Sequence, residues 1–322
     1  MKRLLTTLLA SSLCLGLVAC GSNTATTPTK DSDTISVVST VFPSYDWTRE
    51  IVGDTEDVEL TLLLDDGVDL HSYEPSVADI ATISTADVFI YVGGESDGWV
   101  EGALAEAVNK DMVVINMMEV LSDSVKEEEV VEGMQAEEEE EEGEEEIEYD
   151  EHVWLSLKNA KRLTAAIAEA LCKVDAANAA QYEANSNAYQ LKLDALDNEY
   201  ASMASLAKRD TILFADRFPF RYLVDDYNLN YYAAFVGCSA ETEASFETVA
   251  FLANKVDELQ LPVILTIETS DQKIAQTVQS SAKTKTEILS INSLQNTTLV
   301  EDNTSYLDIM TTNLAILKQA LN

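Results

Sequence analysis

The sequence predicts an α/β fold of two lobes, each with a parallel sheet flanked by helices, joined by one long backbone helix. Three observations carry this expectation. Strand-like runs rich in Val, Ile and Leu alternate with helical patterns, as βαβ units require. The alternation occurs twice along the chain. Between the two series, from about residue 176 to 208, there is neither Pro nor Gly, and Tyr189, Leu193, Leu196, Tyr200 and Met203 recur at spacings of four and three. A helix over that span would run roughly 50 Å at 1.5 Å per residue, enough to brace two lobes.

In the first series, residues 35–40, 58–64, 88–92 and 112–116 read as strands. Helices fill 44–52, 74–85 and 99–109, with Pro75 in the first turn of the second, where its missing N–H costs nothing. An Ala- and Leu-rich helix over 159–173 completes a first lobe spanning 35–175. The second lobe, 209–322, repeats the plan. Its strands are 211–215, 230–236, 263–267 and 287–291, and its helices lie near 219–227, 245–259, 271–282 and 305–321.

Met1-Lys2-Arg3 and the apolar stretch to Ala19 have the basic start and short hydrophobic core of a secretion signal, too short for a permanent membrane span. The stretch ends in Leu17-Val18-Ala19-Cys20-Gly21, which resembles a bacterial lipobox. By that resemblance residues 1–19 are a signal peptide and Cys20 is the lipidated first residue of an extracytoplasmic protein anchored to the membrane through its lipid. Residues 20–34 then form a flexible tether. With Cys14 removed and Cys20 lipidated, Cys172 and Cys238 remain. They either pair, which would contribute about 4 kcal/mol by loop-closure entropy, or stay as two separate thiols.

The formal net charge is −38, and the run from Glu127 to Glu151 supplies 16 of those charges with no Lys or Arg. Such a field excludes nucleic acid as a partner and favours a cation. The run itself reads either as a solvated loop held open by self-repulsion or as a collector of divalent cations. Carboxylates accept Ca²⁺ and Mg²⁺ as readily, so collecting is not selecting.

The chain has two histidines. His71 lies in Asp69-Leu70-His71-Ser72-Tyr73-Glu74-Pro75-Ser76, and His152 in Glu148-Tyr149-Asp150-Glu151-His152-Val153-Trp154. Ligands of open parallel sheets bind beyond the carboxyl ends of the strands. His71 follows the strand at 58–64, and His152 follows, through the acidic run, the strand at 112–116. In the second lobe the corresponding loops hold Asp216-Arg217 and residues 268–271, so facing lobes would gather all four in one cleft. Two neutral imidazoles with carboxylates suit a divalent metal such as zinc or manganese. The plainer alternative is that the histidines are solvent-facing loop residues. Glu268, at the end of an apolar strand, would face the cleft, although an N-cap role for Thr269 or Ser270 explains the same loop. Enzyme signatures are missing: no His-Glu-x-x-His motif, no glycine-rich phosphate loop, no Gly-x-Ser-x-Gly elbow, and no third histidine to act as a base.

These residues resemble the zinc- or manganese-type solute-binding lipoproteins of bacterial ABC transporters over nearly the whole mature chain. Residues 69–76 look like the first-ligand motif of that family, and Asp150-Glu151-His152-Val153-Trp154-Leu155 like the second, with Glu151 where proline is usual. Asn185 with residues 189–196 is similar to its backbone helix, and residues 306–321 to its closing helix. The acidic run stands where zinc-type members carry a histidine-rich loop. The resemblance implies a metal in the interlobe cleft, Zn²⁺ or alternatively Mn²⁺, delivered by a monomeric, non-enzymatic protein to a transporter permease. A cell-surface adhesin without transport is the other role it allows. It places a fourth ligand at Glu268, or else at Asp271. Arg217 falls on the third-ligand position, where a guanidinium cannot ligate. A buried charge there must be paired, so Arg217 is expected either to turn out of the cleft or to hold one of Glu268, Asp271, Asp216 and Glu243.

Overall fold

In the computed structural model, which describes residues 34–65, 67–135, 148–239, 243–297 and 304–322, the first half of the chain alternates strand and helix. It comprises β1 (Ile35–Ser39), α1 (Phe42–Val52), β2 (Val58–Leu62), α2 (Val77–Thr85), β3 (Val88–Tyr91), α3 (Val100–Ala105), β4 (Val113–Asn116) and the short α4 (Met117–Val120). The strands form one parallel sheet in the order β2-β1-β3-β4, with Val37 between Leu60 and Val88. Val37, Val38, Val88, Phe89 and Ile90 are all buried, because helices cover both faces of a parallel sheet and its strands must be apolar on both.

Helix α5 (Leu157–Val174) follows, and then α6 (Ala179–Leu206), 28 residues long, or about 42 Å at the α-helical rise. The stripe read from the sequence is the buried face of α6: Tyr189, Leu193, Leu196, Tyr200 and Met203, with Tyr182 and Ser186 extending it. Asn185 Nδ2 donates to Ile51 O at 2.9 Å, and Tyr200 Oη donates to Met310 O at 2.6 Å. One end of α6 is therefore fixed to α1 and the other to the last helix of the chain.

The second half runs β5 (Thr211–Leu213), β6 (Arg217–Phe218), α7 (Arg221–Asp226), β7 (Asn230–Tyr232), β8 (Phe235–Val236), α8 (Phe246–Leu259), β9 (Val263–Ile267), α9 (Lys273–Ser281), β10 (Glu287–Ile291) and α10 (Tyr306–Ala320). Parallel pairs β10-β9 and β5-β7 are joined by a parallel bridge between Phe214 and Leu265. Two short strands, β6 and β8, pair beside them. A single apolar cluster runs from Val37 and Trp47 through Tyr189 to Leu265 and Ile291. Among the described residues no helix is long and apolar enough to cross a membrane.

Three local departures from the predicted elements have physical causes. Pro75 precedes α2, because Ser76 and Asp79 form a reciprocal capping box that starts the helix at Val77. The strand predicted over 230–236 breaks at Ala233 and Ala234, because β7 pairs with β5 whereas β8 pairs with β6, and the N–H groups of Ala234 and Phe235 turn to Asp216 O between them. Helix α4 starts where Asn116 accepts from the Glu119 N–H, an Asn cap hidden at the end of a strand pattern.

Candidate metal site

The turn after β2 presents His71. Leu70–Ser72 makes one 3-10 turn, anchored by the buried Leu70 and capped by Asp69 Oδ1, which accepts the His71 N–H at 3.1 Å. The ring is held on its Nδ1 side, 2.9 Å from Ser96 Oγ and 3.4 Å from Glu151 Oε2. Gly94, at a φ of +83°, makes room for that carboxylate, since a Cβ there would collide with it. Burial would raise the Glu151 carboxyl, but hydrogen bonds from His71 and Ser96 hold it below its usual range.

His152 is fully buried. Asp150 Oδ1 accepts from its backbone N–H at 2.8 Å and from Nδ1 at 3.1 Å. Burial disfavours the imidazolium, yet Asp150 foremost, with Gln295 and Glu151, holds the ring above its ordinary pKa. With Nδ1 held by Ser96 Oγ in His71 and by Asp150 in His152, both Nε2 atoms converge, 3.2 Å apart. An imidazole held by a carboxylate on one nitrogen, as Asp150 holds His152 Nδ1, is oriented to bind a metal through its other nitrogen once that nitrogen has given up its proton. Gln295 Oε1 lies 2.8 Å from His152 Nε2.

The second half contributes a residue that the sequence reading weighed only for a disulfide. Cys238 follows β8, and one ligand atom each from His71, His152 and Cys238 lies within 4.8 Å of the other two. A Cβ at Gly237 would sit 3.2 Å from His152 Cε1, so glycine lets this segment pass close to the ring. The Cys238 N–H donates to Glu128 Oε1 at 3.1 Å. Burial pushes the thiol strongly upward, reinforced by Asp150, Glu128 and Glu151. Cys172 and Cys238 are both free thiols; of the two alternatives, the paired one is not formed. Cys172 sits on α5 with its thiol on Ala179 O at 3.5 Å.

The other expected residues are arranged differently. Both Glu268 oxygens are taken by Ser293, from its N–H and its hydroxyl, each at 2.8 Å. Glu268 thereby fixes the loop that carries Gln295. Asp271 is exposed and pairs with Lys273. Among the described residues Arg217 neither enters the histidine pair nor joins a carboxylate of its own half; it pairs with Asp69 at 2.7 Å and donates to Ser239 O. Its expected partner Asp216 accepts instead from the Arg217 and Ile267 N–H groups.

His71 lies between two cavities. One of about 440 Å³ is lined by Asp69, Asp216, Arg217, Thr269 and Asp271, and another of about 300 Å³ by Ser96, Glu128, Tyr149, Glu151 and Cys238. The two ends of the acidic run pair beside the site: Glu127 bridges Tyr149, Glu128 N–H donates to Glu148 O, and Asp150 N–H to Lys126 O. Residues 136–147 of the run lie outside the described residues, as do Cys20, the signal and nearly all of the tether.

Comparison with known proteins bears on the same site. A family model described as zinc-uptake complex component A, periplasmic, matches residues 37–320. The zinc-binding lipoprotein AdcA of Streptococcus pneumoniae serotype 4 is 34% identical over 319 residues, 97% of this chain and 60% of that protein. This chain therefore spans about 60% of the length of that relative. The high-affinity zinc uptake system protein ZnuA of Bacillus subtilis is 33% identical over 315 residues, 96% of this chain and 95% of that one. Among solved structures, the Zn(II)-bound ZnuA-like domain of S. pneumoniae AdcA superposes with a TM-score of 0.68 at 29% identity, covering 89% of this chain and 99% of that chain. The metal-dependent lipoprotein YcdH of B. subtilis superposes with a TM-score of 0.72 at 29% identity, covering 90% and 100%.

Proposed function

This chain belongs to the zinc-uptake complex component A family, and from that premise we propose that it captures zinc at a site built on His71 and His152 and hands it to an ABC permease. One observation carries the reading: the chain's two histidines, 81 residues apart, bring their Nε2 atoms to 3.2 Å, each ring held from its Nδ1, His71 by the Ser96 hydroxyl beside Glu151 and His152 by Asp150. Imidazole nitrogens suit zinc, whereas a purely carboxylate set would suit Mn²⁺, Mg²⁺ or Ca²⁺. Asp150 and Glu151 offset the charge of a dication without having to ligate it. Zinc is the cargo, so the protein's task is binding and release. Relatives named for zinc binding and zinc uptake support that cargo and a transporter partner. The Cys20 lipobox and the lipoprotein names of relatives support a lipid anchor outside the cytoplasm.

Replacing either His71 or His152 with Ala tests the reading in a zinc titration against a competing chelator. Each variant should bind at least tenfold more weakly, about 1.4 kcal/mol. If both variants titrate like the parent, zinc is held elsewhere.

A further inference from the structure

Taking His71 and His152 as cation ligands, as above, we propose that the Cys238 thiolate is the third protein ligand, making this an N₂S site in place of the imidazole and carboxylate set the sequence predicts. The ligand atoms of the three residues lie within 4.8 Å of one another. That leaves room for one ion among them with modest movement, given zinc bonds of about 2.0–2.3 Å to nitrogen and sulfur.

Among the described residues, the other ligand candidates expected in the second half are engaged elsewhere. Glu268 spends both oxygens on Ser293, Asp271 is turned to solvent beside Lys273, and the Arg217 guanidinium is engaged by Asp69. Cys238, by contrast, is set in place by three features. The β6-β8 pairing holds the strand end just before it. Gly237 has no Cβ, which would sit a tight 3.2 Å from His152 Cε1, so its backbone can pass beside the ring. Glu128 fixes the Cys238 N–H. The segment that carries the thiol is thus positioned against the buried imidazole from both sides.

The chemistry differs from that of an imidazole and carboxylate site. A thiolate is soft, so it favours zinc over Ca²⁺, Mg²⁺ and Mn²⁺, the cations that the neighbouring carboxylates would otherwise admit. Coordination replaces the S–H bond by a Zn–S bond and releases that proton to solvent; nothing is oxidised or reduced. Two nitrogens and one sulfur leave a fourth tetrahedral position open to water or to an exchanging ligand.

Cobalt(II) substitution of the full chain tests this directly, because a thiolate adds a near-ultraviolet charge-transfer band to the visible bands that a tetrahedral cobalt ion shows with nitrogen ligands. The parent should show both. Cys238→Ser should lose the near-ultraviolet band, keep the visible ones, and bind zinc at least tenfold more weakly. Zinc should also protect Cys238, and not Cys172, from alkylation. Visible bands without a charge-transfer band in the parent, or a charge-transfer band that survives Cys238→Ser, would overturn the thiolate ligand while leaving the histidine site standing. No cobalt spectrum in the parent would overturn both.

Discussion

Arg217 and Asp69, 148 residues apart, form a 2.7 Å ion pair beside His71. Asp69 also accepts the His71 N–H through its other oxygen and lies 3.4 Å from Gln295 Nε2. Burial would raise the Asp69 carboxyl, but the Arg217 charge and hydrogen bond, together with His71, hold it below its ordinary range. Arg217 therefore braces the turn that presents the first histidine. Arg217→Ala should destabilise the protein by about 1–2 kcal/mol, read by chemical denaturation. It should weaken zinc binding by less than His71→Ala does. Equal losses from the two variants would give Arg217 a more central part than a brace.

Asp150 fixes His152 by accepting from both its backbone and its ring. Removing a carboxylate that orients a metal-binding histidine costs roughly 10- to 100-fold in affinity. Asp150→Ala should fall in that range in a competition titration. Asp150→Asn, which keeps an acceptor for Nδ1, should lose distinctly less.

Asp97 is buried in the loop after β3, and its Oδ2 accepts the Gly93 N–H at 2.8 Å. Burial pushes its carboxyl up to about 7, only partly offset by the Gly93 and Val92 N–H groups, while Glu151 adds to the rise. A raised carboxyl binds its proton more tightly in the folded state. Its stabilising contribution is complete below pH about 4 and is lost as pH climbs to about 7. Asp97→Asn removes that loss and keeps the acceptor. The stability difference between variant and parent should move in favour of the variant across this window, measured by metal-free denaturation midpoints at several pH values. A difference independent of pH would refute the assignment.

The two ends of the acidic run pair through Glu127 and Tyr149 and through Glu128 and Glu148. Deleting residues 136–147 with a short Gly-Ser bridge should leave tight zinc binding unchanged and reduce weak extra cation binding in equilibrium dialysis. Loss of the tight site would mean that the run supplies a ligand. A longer deletion that takes Glu128 should weaken the tight site, because Glu128 accepts the Cys238 N–H.

What the sequence disclosed follows from what is local. The stripe on α6 and the apolar strands were legible because period and burial are properties of neighbouring residues. The two histidines were legible as a pair because each follows a strand of the first sheet. Other relationships depend on contacts that no spacing encodes. Glu268 finds Ser293 across 25 residues, Arg217 finds Asp69 across 148, and Cys238 comes to His152 on β8, which pairs with β6 after the chain leaves the β5-β7 pair at Tyr232. One cue was available: Cys238 closely follows the strand-like run at 230–236, at a carboxyl end where a thiol is as apt a ligand as a carboxylate.

Zinc-edge anomalous diffraction from crystals of the zinc-loaded protein is the most direct test of the account. It should place one ion within about 2.0–2.1 Å of both His71 Nε2 and His152 Nε2. An anomalous peak away from these two atoms, or on only one of them, would contradict it.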